Sequence, residues 1–336
     1  MTAIVSPQEA GAAVLVIENG RAVFERGYGI ADLRTGRPID ARTNFRLASV
    51  SKAFTAAAVT LLVRDGRLRY EDRLADLIPD FPEYGREIKV RNLLQHTSGL
   101  PDYEDLMPPS VEADTSELVQ ISDAGVLDLL KRTQAPLFAP GSQWKYSNSG
   151  YVVLGSIAAK ISGLPFEDFL EGRIFAPLRM SRTLAYVRGK NEVSDRAFGY
   201  SRTDGRWRET DQSPTSATLG DGGVYSSLED LAKWDEALRM GSLIAEADMR
   251  PALEPVRVAG APPVEPDGVP AAYGFGWFLN PWKGRPRMWH YGETRGFRTA
   301  IERFPAEGLT IVVLSNRSNF DAATLALTAA ELYLPI

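Results

Sequence analysis

Ser49 and Lys52 stand three residues apart in the stretch Phe45-Arg46-Leu47-Ala48-Ser49-Val50-Ser51-Lys52-Ala53-Phe54. On a helix that spacing puts both on one face, within touching distance. The residues that follow are apolar nearly all round: Ala53, Phe54, Ala56, Ala57, Ala58, Val59, Leu61, Leu62 and Val63. A helix of that composition belongs in a core. Burial disfavours the ammonium form of a lysine and lowers its pKa. A lysine that is neutral near pH 7 can take the proton of a serine hydroxyl. The helix N-terminus also aims backbone N–H groups at the space over Ser49, which suits a developing oxyanion. Nucleophile and base is one reading of the pair. An N-cap serine followed by a surface lysine is the plainer one, and the rest of the chain must decide.

Two further stretches bear on it. Tyr146-Ser147-Asn148 opens a predicted helix that runs to about Ile161. A tyrosine hydroxyl beside a lysine can relay protons, and an asparagine can bind a substrate carbonyl or orient the lysine. Without that setting they are a buried tyrosine and an N-cap. His290-Tyr291-Gly292 ends a predicted strand, and Glu293 follows. A strand edge against the nucleophile helix can offer a backbone N–H to an oxyanion, and Gly292 permits close approach of substrate. Otherwise His290 is a strand-end histidine without chemistry.

Composition removes several rivals. The chain has 336 residues, 44% hydrophobic and 24% charged, which is globular and long enough for one large domain or two lobes. Its net charge is -5 and its basic residues are dispersed, so no nucleic-acid partner is expected. There is no cysteine, which excludes disulfides, thiol nucleophiles and cysteine-ligated metals. The two histidines, His96 and His290, lie far apart, and no His-Glu-x-x-His pair occurs, so no metal or other cofactor is expected. No Walker A loop, no Gly-x-Gly-x-x-Gly after a strand and no Gly-x-Ser-x-Gly elbow is present. No segment approaches the ~20 apolar residues of a membrane helix. Met1 to Pro7 lacks the charged start and apolar run of a signal peptide. A cytoplasmic protein is expected if Met1 is the natural start, and a periplasmic or extracellular one if a signal has been removed.

The elements that must hold these residues fall in order. Ala13–Glu18 and Arg21–Arg26 flank Asn19-Gly20, a strong hairpin signal. The nucleophile helix ends near Gly66. Val90–Gln95 is a short helix, and residues 101–124 are polar, acidic and proline-containing, a long loop that could cover a site. Helices are predicted over 124–132, up to Ile161 and over 166–175, and residues 185–222 are irregular or a small hairpin. Ser226-Ser227-Leu228-Glu229 fits a capping box opening a helix to about Met240, and 250–272 is proline-rich. Strands are predicted at Tyr273–Leu279, Arg287–Tyr291, Phe297–Phe304 and Leu309–Leu314, with a turn over Gly292–Gly296, before a closing helix Asp321–Leu334. Strands at both ends and helices between predict an α/β fold of the α+β type. An antiparallel β-sheet from 1–66 plus 273–336 is flanked by helices, and a mainly helical lobe, 67–272, is inserted. The whole, 1–336, reads as one catalytic domain with Ser49 at the lobe boundary, where clefts form.

Taken in order, Ser49/Lys52, Tyr146/Asn148 and His290/Gly292 resemble the Ser-x-x-Lys, Tyr-x-Asn and Lys/His-x-Gly triplets of the class C β-lactamase and penicillin-binding-protein-like serine hydrolases. That superfamily includes esterases, D-amino-acid peptidases and amidases. The likeness extends to His96–Pro101, Pro140-Gly141, Gly222–Ser227, Gly274-Phe275-Gly276-Trp277 and Leu314–Arg317, from about Ala13 to the end. It implies a β-lactamase/transpeptidase-like fold and a covalent acyl-enzyme. Ser49 would be acylated, and Lys52 and Tyr146 would share the base and acid work. Asn148 would position substrate, and the backbone N–H groups of Ser49 and Glu293 would form the oxyanion hole. His290 would line the third wall of the cleft beside Gly292, whereas His96 is read as structural.

Two departures shape the expectation. Class C β-lactamases carry lysine where His290 stands, and a mostly neutral histidine attracts a substrate carboxylate less. Members usually have a helix before the first strand, and here only Met1–Gly11 precede it. The expected activity is hydrolysis of a small ester, amide or D-amino-acid-containing peptide. Tyr103, Leu106 and Met107 hint at an apolar acyl group. The alternatives are a β-lactamase or penicillin-binding protein that acylates β-lactams, and an inactive member used as a binding module.

Overall fold

A computed structural model describes residues 5–108, 118–258 and 272–334. Its central sheet joins both ends of the chain. Strand β1 (Ala12–Glu18) and β2 (Arg21–Tyr28) come from the start. Strands β3 (Met288–Glu293), β4 (Arg298–Phe304) and β5 (Leu309–Ser315) come from the last fifty residues or so. The order is β3-β4-β5-β1-β2, antiparallel throughout, and β1 pairs with β5 from Ala12↔Ser315 to Glu18↔Leu309. The hairpin at Asn19-Gly20 has positive φ at both residues, 49° and 78°, the geometry that fits the strand twist.

Strand β1 is buried on both faces, which is why it reads as an unbroken apolar run. Ala13, Leu15 and Ile17 join a cluster with Phe54 and Leu61, while Ala12, Val14 and Val16 meet Ala326 and Ala330. The former face lies against the helix Leu228–Met240 and shares its core with α1 (Ser51–Arg64), in which every residue from Ser51 to Leu62 is buried. The latter is covered by the closing helix (Ala322–Tyr333). Between the strand groups lie the helices that matter below: α2 (Tyr103–Leu106), α3 (Asp123–Arg132), α4 (Asn148–Ser162) and α5 (Leu228–Met240). Helix α1 packs on α4, and its Phe54 meets Trp234 of α5 at 4.7 Å between ring centroids.

Four local expectations change. Tyr273–Leu279 is no strand: it holds two isolated bridges, Tyr273 to Phe278 and Phe278 to Trp289, and the first is closed by a turn in which Gly274 N–H donates to Trp277 O. Gly276 sits there at φ 74°, and a Cβ on it would lie 2.7 Å from Lys52 O, so the turn is pressed onto α1. Strand β3 runs on through Gly292 and Glu293, and the turn tightens to Thr294–Phe297. The loop at 101–124 contains α2 and the N-cap of α3, while 109–117 lies outside the described residues. The α5 cap is Ser227 accepting from Asp230 N–H, one residue later than the expected box. Among the described residues before β1 there is a turn and a bridge from Ala10 to Ile30 but no helix. The small hairpin expected within 185–222 is Tyr200–Thr203 with Arg206–Glu209. No helix of the described residues is long and apolar enough to cross a membrane.

Candidate active site

Ser49 lies in a tight 3-10 turn, Ala48–Val50, that leads into α1. Ala48 has φ 50°, a left-handed conformation that costs a residue with a side chain about 1–3 kcal/mol unless its surroundings enforce it. Here it brings Ser49, half-buried between two buried neighbours, to the floor of a cleft of about 410 Å³.

Lys52 lies beneath it and is completely buried. Its Nζ is 3.0 Å from Ser49 Oγ, 2.8 Å from Asn148 Oδ1 and 2.9 Å from Asp221 O. Burial drives its pKa down to about 8, against the pull of Asp221, Asp102 and Glu104. Two of the three partners are carbonyl oxygens and can only accept. A neutral lysine has two N–H groups for them and one lone pair left for the Ser49 proton. The arrangement therefore suits an amine that removes the proton from Ser49.

Asn148 is the first residue of α4, capped by Ser147, whose Oγ accepts from Gly150 N–H. Its Nδ2 donates to Glu104 Oε1 at 3.3 Å, which fixes the amide with Oδ1 toward Lys52. Asp102 ties α2 to α4: its two oxygens accept from Glu104 N–H at 3.1 Å and Asn148 N–H at 2.7 Å. Tyr146 turns its ring to Lys52, 4.9 Å from Nζ to centroid, and its hydroxyl interacts with the Ser49 side chain. Desolvation raises its pKa, so it stays protonated at neutral pH.

The other expected residues fall elsewhere. His290 is fully buried, with Nε2 3.2 Å from Tyr273 Oη and its ring among Phe278, Tyr273 and Tyr146. It does not line the cleft, which corrects the expectation of a third wall. Burial first, and Lys52 second, push its pKa down to about 3, so it is neutral at all ordinary pH. Gly292 is also set back from the lining: its Cα faces Leu47 O and Thr299 Oγ1 instead of open space. Glu293 borders the cleft, and its carboxylate pairs with Arg298 at 2.6 Å. His96 is buried, accepts from Ser147 N–H on Nδ1 at 3.1 Å and packs on the Tyr146 ring at 4.3 Å.

Sequence reading missed several groups. Asp221 holds Lys52 through its carbonyl and carries a carboxylate that accepts from Tyr103 Oη at 2.9 Å. The signal was the glycines around it: a Cβ on Gly220 would lie 2.2 Å from Tyr151 O, so the loop must press on α4. Glu104 borders the cleft on α2, and no pattern in the chain marked it. Burial, then Asp102 and Asp221, raise its pKa to about 6. Among the described residues no group of three or more metal-ligating side chains is gathered to hold an ion.

A serine on a strained turn over a buried lysine, beside an antiparallel sheet made from both chain ends, defines a recognisable class. A family model described as Beta-lactamase matches residues 2–334, and the chain belongs to that family. A penicillin-binding protein of Bacillus subtilis (strain 168) is 34% identical over 317 residues, 90% of this chain and 67% of that protein. A D-aminopeptidase of Cereibacter sphaeroides is 30% identical over 321 residues, 94% of this chain but only 59% of the relative's length. The crystal structure of D-amino acid amidase from Ochrobactrum anthropi SV3 complexed with L-phenylalanine amide superposes with a TM-score of 0.78 at 27% identity, covering 92% of this chain and 86% of that one. The antiparallel sheet with its flanking helices is thus the fold of that family.

Proposed function

We propose that the protein is a serine hydrolase that forms a covalent acyl-enzyme at Ser49. Its substrate is a small amide or a D-amino-acid-containing peptide, or the corresponding ester. The observation that carries this reading is the 3.0 Å approach of a buried, pKa-lowered Lys52 to Ser49 Oγ. Neutral Lys52 takes the Ser49 proton as Oγ attacks the substrate carbonyl. The oxyanion lies against the backbone N–H groups of Ser49 and Glu293. The proton passes from Lys52 through Tyr146 to the leaving amine or alkoxide, and water reverses the path to free the acid. Asn148 orients Lys52. The unit that does this is the single domain read from the sequence, with the cleft between its sheet lobe and its helical lobe.

The acidic side of the cleft favours substrates with a free ammonium group. Glu104 and Asp221 both line it, and Lys52, which interacts with both, is held by Ser49, Asn148 and the Asp221 carbonyl. The relatives named D-aminopeptidase and D-amino acid amidase point the same way. A β-lactamase reading has less support, because neutral, buried His290 cannot draw a carboxylate. An inert binding module is opposed by the intact Ser49–Lys52–Tyr146 set.

Intact-protein mass after brief mixing with p-nitrophenyl acetate, D-phenylalaninamide or a penicillin tests the reading, with Ser49→Ala alongside. Turnover of ester and amide that is lost in Ser49→Ala supports it. A persistent penicillin adduct moves the protein to the penicillin-binding proteins, and the absence of any adduct or turnover rejects the hydrolase.

The pH dependence follows from two groups. Ester turnover should rise with pH and level off above about 8, as Lys52 loses its proton. The ratio of amide to ester kcat/KM should rise through about 6, where Glu104 ionises and begins to hold the ammonium. It should fall again near 8, where an α-amino group itself deprotonates. Glu104→Gln should remove the rise at 6. A rise that survives that change assigns it to another group.

A further inference from the structure

Asp221 brings more to Lys52 than a carbonyl. It is 6% exposed, and the residue whose carbonyl accepts from Lys52 Nζ at 2.9 Å also carries a carboxylate at the edge of the cleft. Oδ2 accepts from Tyr103 Oη at 2.9 Å, and Oδ1 is buried with no hydrogen-bond partner among the described residues. Tyr103 is itself buried and held at both ends. Its N–H donates to Ser149 Oγ at 2.7 Å, and its hydroxyl lies 3.3 Å from Thr218 Oγ1. The segment around Asp221 is pinned from three elements. Thr55 of α1 donates to Gly220 O at 2.6 Å, Leu219 N–H donates to Asp123 Oδ1 of α3 at 3.0 Å, and Tyr103 of α2 holds the carboxylate.

A buried carboxylate with one oxygen unsatisfied is costly to fold. Its charge has a use beside Lys52. That amine is wholly buried, and the loss of water drives its pKa down. Three carboxylates oppose the fall, Asp221 first, then Asp102 and Glu104 from α2 and its cap, and the balance leaves the amine at about 8. The other titratable groups that face Lys52 are uncharged. Tyr146 and Tyr151 present ring faces 4.9 and 5.6 Å from Nζ and have raised pKa values, while His96 and His290 are held neutral by burial. Asp123 interacts with Asp221, and burial raises its own pKa to about 7. A general base works best with a pKa near the working pH. A buried amine without carboxylates around it would be neutral but too weak to hold the proton of a serine.

We propose that the Asp221 carboxylate, fixed by Tyr103, is the positioning charge that makes Lys52 a strong enough base for Ser49. This rests on the serine-hydrolase reading and deepens it. The proton still passes from Ser49 Oγ to Lys52 Nζ. Asp221 takes no proton and forms no bond to substrate in this step, and Tyr103 acts on Lys52 only through Asp221.

The test is the pH profile of the acylation burst with p-nitrophenyl acetate, which has no ammonium for the acidic side of the cleft to hold. Asp221→Asn keeps the carbonyl and an oxygen that can accept from Tyr103, and removes the charge. The midpoint of the rise is expected to move down from about 8 by about one pH unit, the scale of one neighbouring charge. The plateau at high pH is expected to fall roughly threefold, because a weaker base takes the proton. A merely structural Asp221 would instead lower the rate at every pH with the midpoint unmoved. Tyr103→Phe keeps the ring and the N–H contact with Ser149, and removes the donor that favours the charged carboxylate. Its midpoint should move the same way by a smaller step, which keeps the test open should Asp221→Asn fail to fold. Added to Asp221→Asn, it should move the midpoint no further. A midpoint that stays at the parent's value or rises in folded Asp221→Asn overturns the proposal and leaves the hydrolase standing. If only Tyr103→Phe folds, an unmoved midpoint there does the same. A parent protein without a burst at any pH overturns the hydrolase reading and the role of Asp221 with it.

Discussion

Lys52→Met is expected to leave Ser49 unacylated, with ester turnover down by about 10⁴ or more, the scale seen when one member of a catalytic unit is removed. The reason is that, among the described residues, Lys52 and Tyr146 are the titratable groups that interact with the Ser49 side chain. His290 and His96 are neutral, but each has a hydrogen-bonding or packing partner other than Ser49. Tyr146 faces Ser49, but its raised pKa keeps the phenol protonated and fits it to pass protons, not to take the first one. Tyr146→Phe should therefore also cost several orders of magnitude, and the double variant should be little worse than either single one. The fold should survive both. Methionine fills the buried space of Lys52, and the loss of a costly buried ammonium offsets carbonyls of Asn148 and Asp221 left without a donor. Circular dichroism checks the fold, and a p-nitrophenyl acetate burst checks acylation. A burst of normal amplitude and rate in folded Lys52→Met would show that the proton leaves Ser49 by another route.

What the chain discloses before its structure is known has a physical pattern. The residues that meet inside one turn were legible: Ser49 with Lys52 follows from helical spacing alone. The buried α1 and the doubly covered β1 were legible because an element apolar on every side must be enclosed. The sheet made from both ends followed from strand signals at the two termini. What escaped was set by tertiary approach. Asp221 serves through its carbonyl, and a backbone atom leaves no mark on residue type. Glu104 belongs to a one-turn helix in a polar stretch, too short to have a period. His290 was given a cleft wall from its place in a motif, but alternation along β3 turns it inward to Tyr273, whose hydroxyl covers Nε2. The run at Tyr273–Leu279 has the composition of a strand, and the glycines within it make it a turn.

Gly292→Ala is the change away from the reacting groups expected to do most damage. An added Cβ would lie 2.1 Å from Leu47 O, 2.4 Å from Thr299 Oγ1 and 3.1 Å from Ala48 Cβ. Two of these are held: Thr299 Oγ1 donates to Leu47 O at 2.7 Å, a clamp between β4 and the residue before the strained Ala48. Leu47 N–H in turn donates to Val224 O at 2.8 Å, so Leu47 cannot retreat freely. The methyl group must push β3 away from the Ser49 turn or break the clamp. Overpacking of this kind costs about 1–3 kcal/mol, and a lost buried hydrogen bond adds roughly 1–3 kcal/mol. Either movement shifts Glu293, which follows in the strand, so acylation should slow by more than the folded fraction falls. Gly172→Ala serves as the control, since Gly172 is exposed, carries no positive φ and has open space where a Cβ would stand. It should leave the melting temperature unchanged or slightly higher. Thr299→Val separates the two terms, removing the clamp without adding a Cβ to the strand. If Gly292→Ala melts like the parent and acylates at the same rate, β3 does not bear on the Ser49 turn, and Glu293 is free of any part in the oxyanion hole.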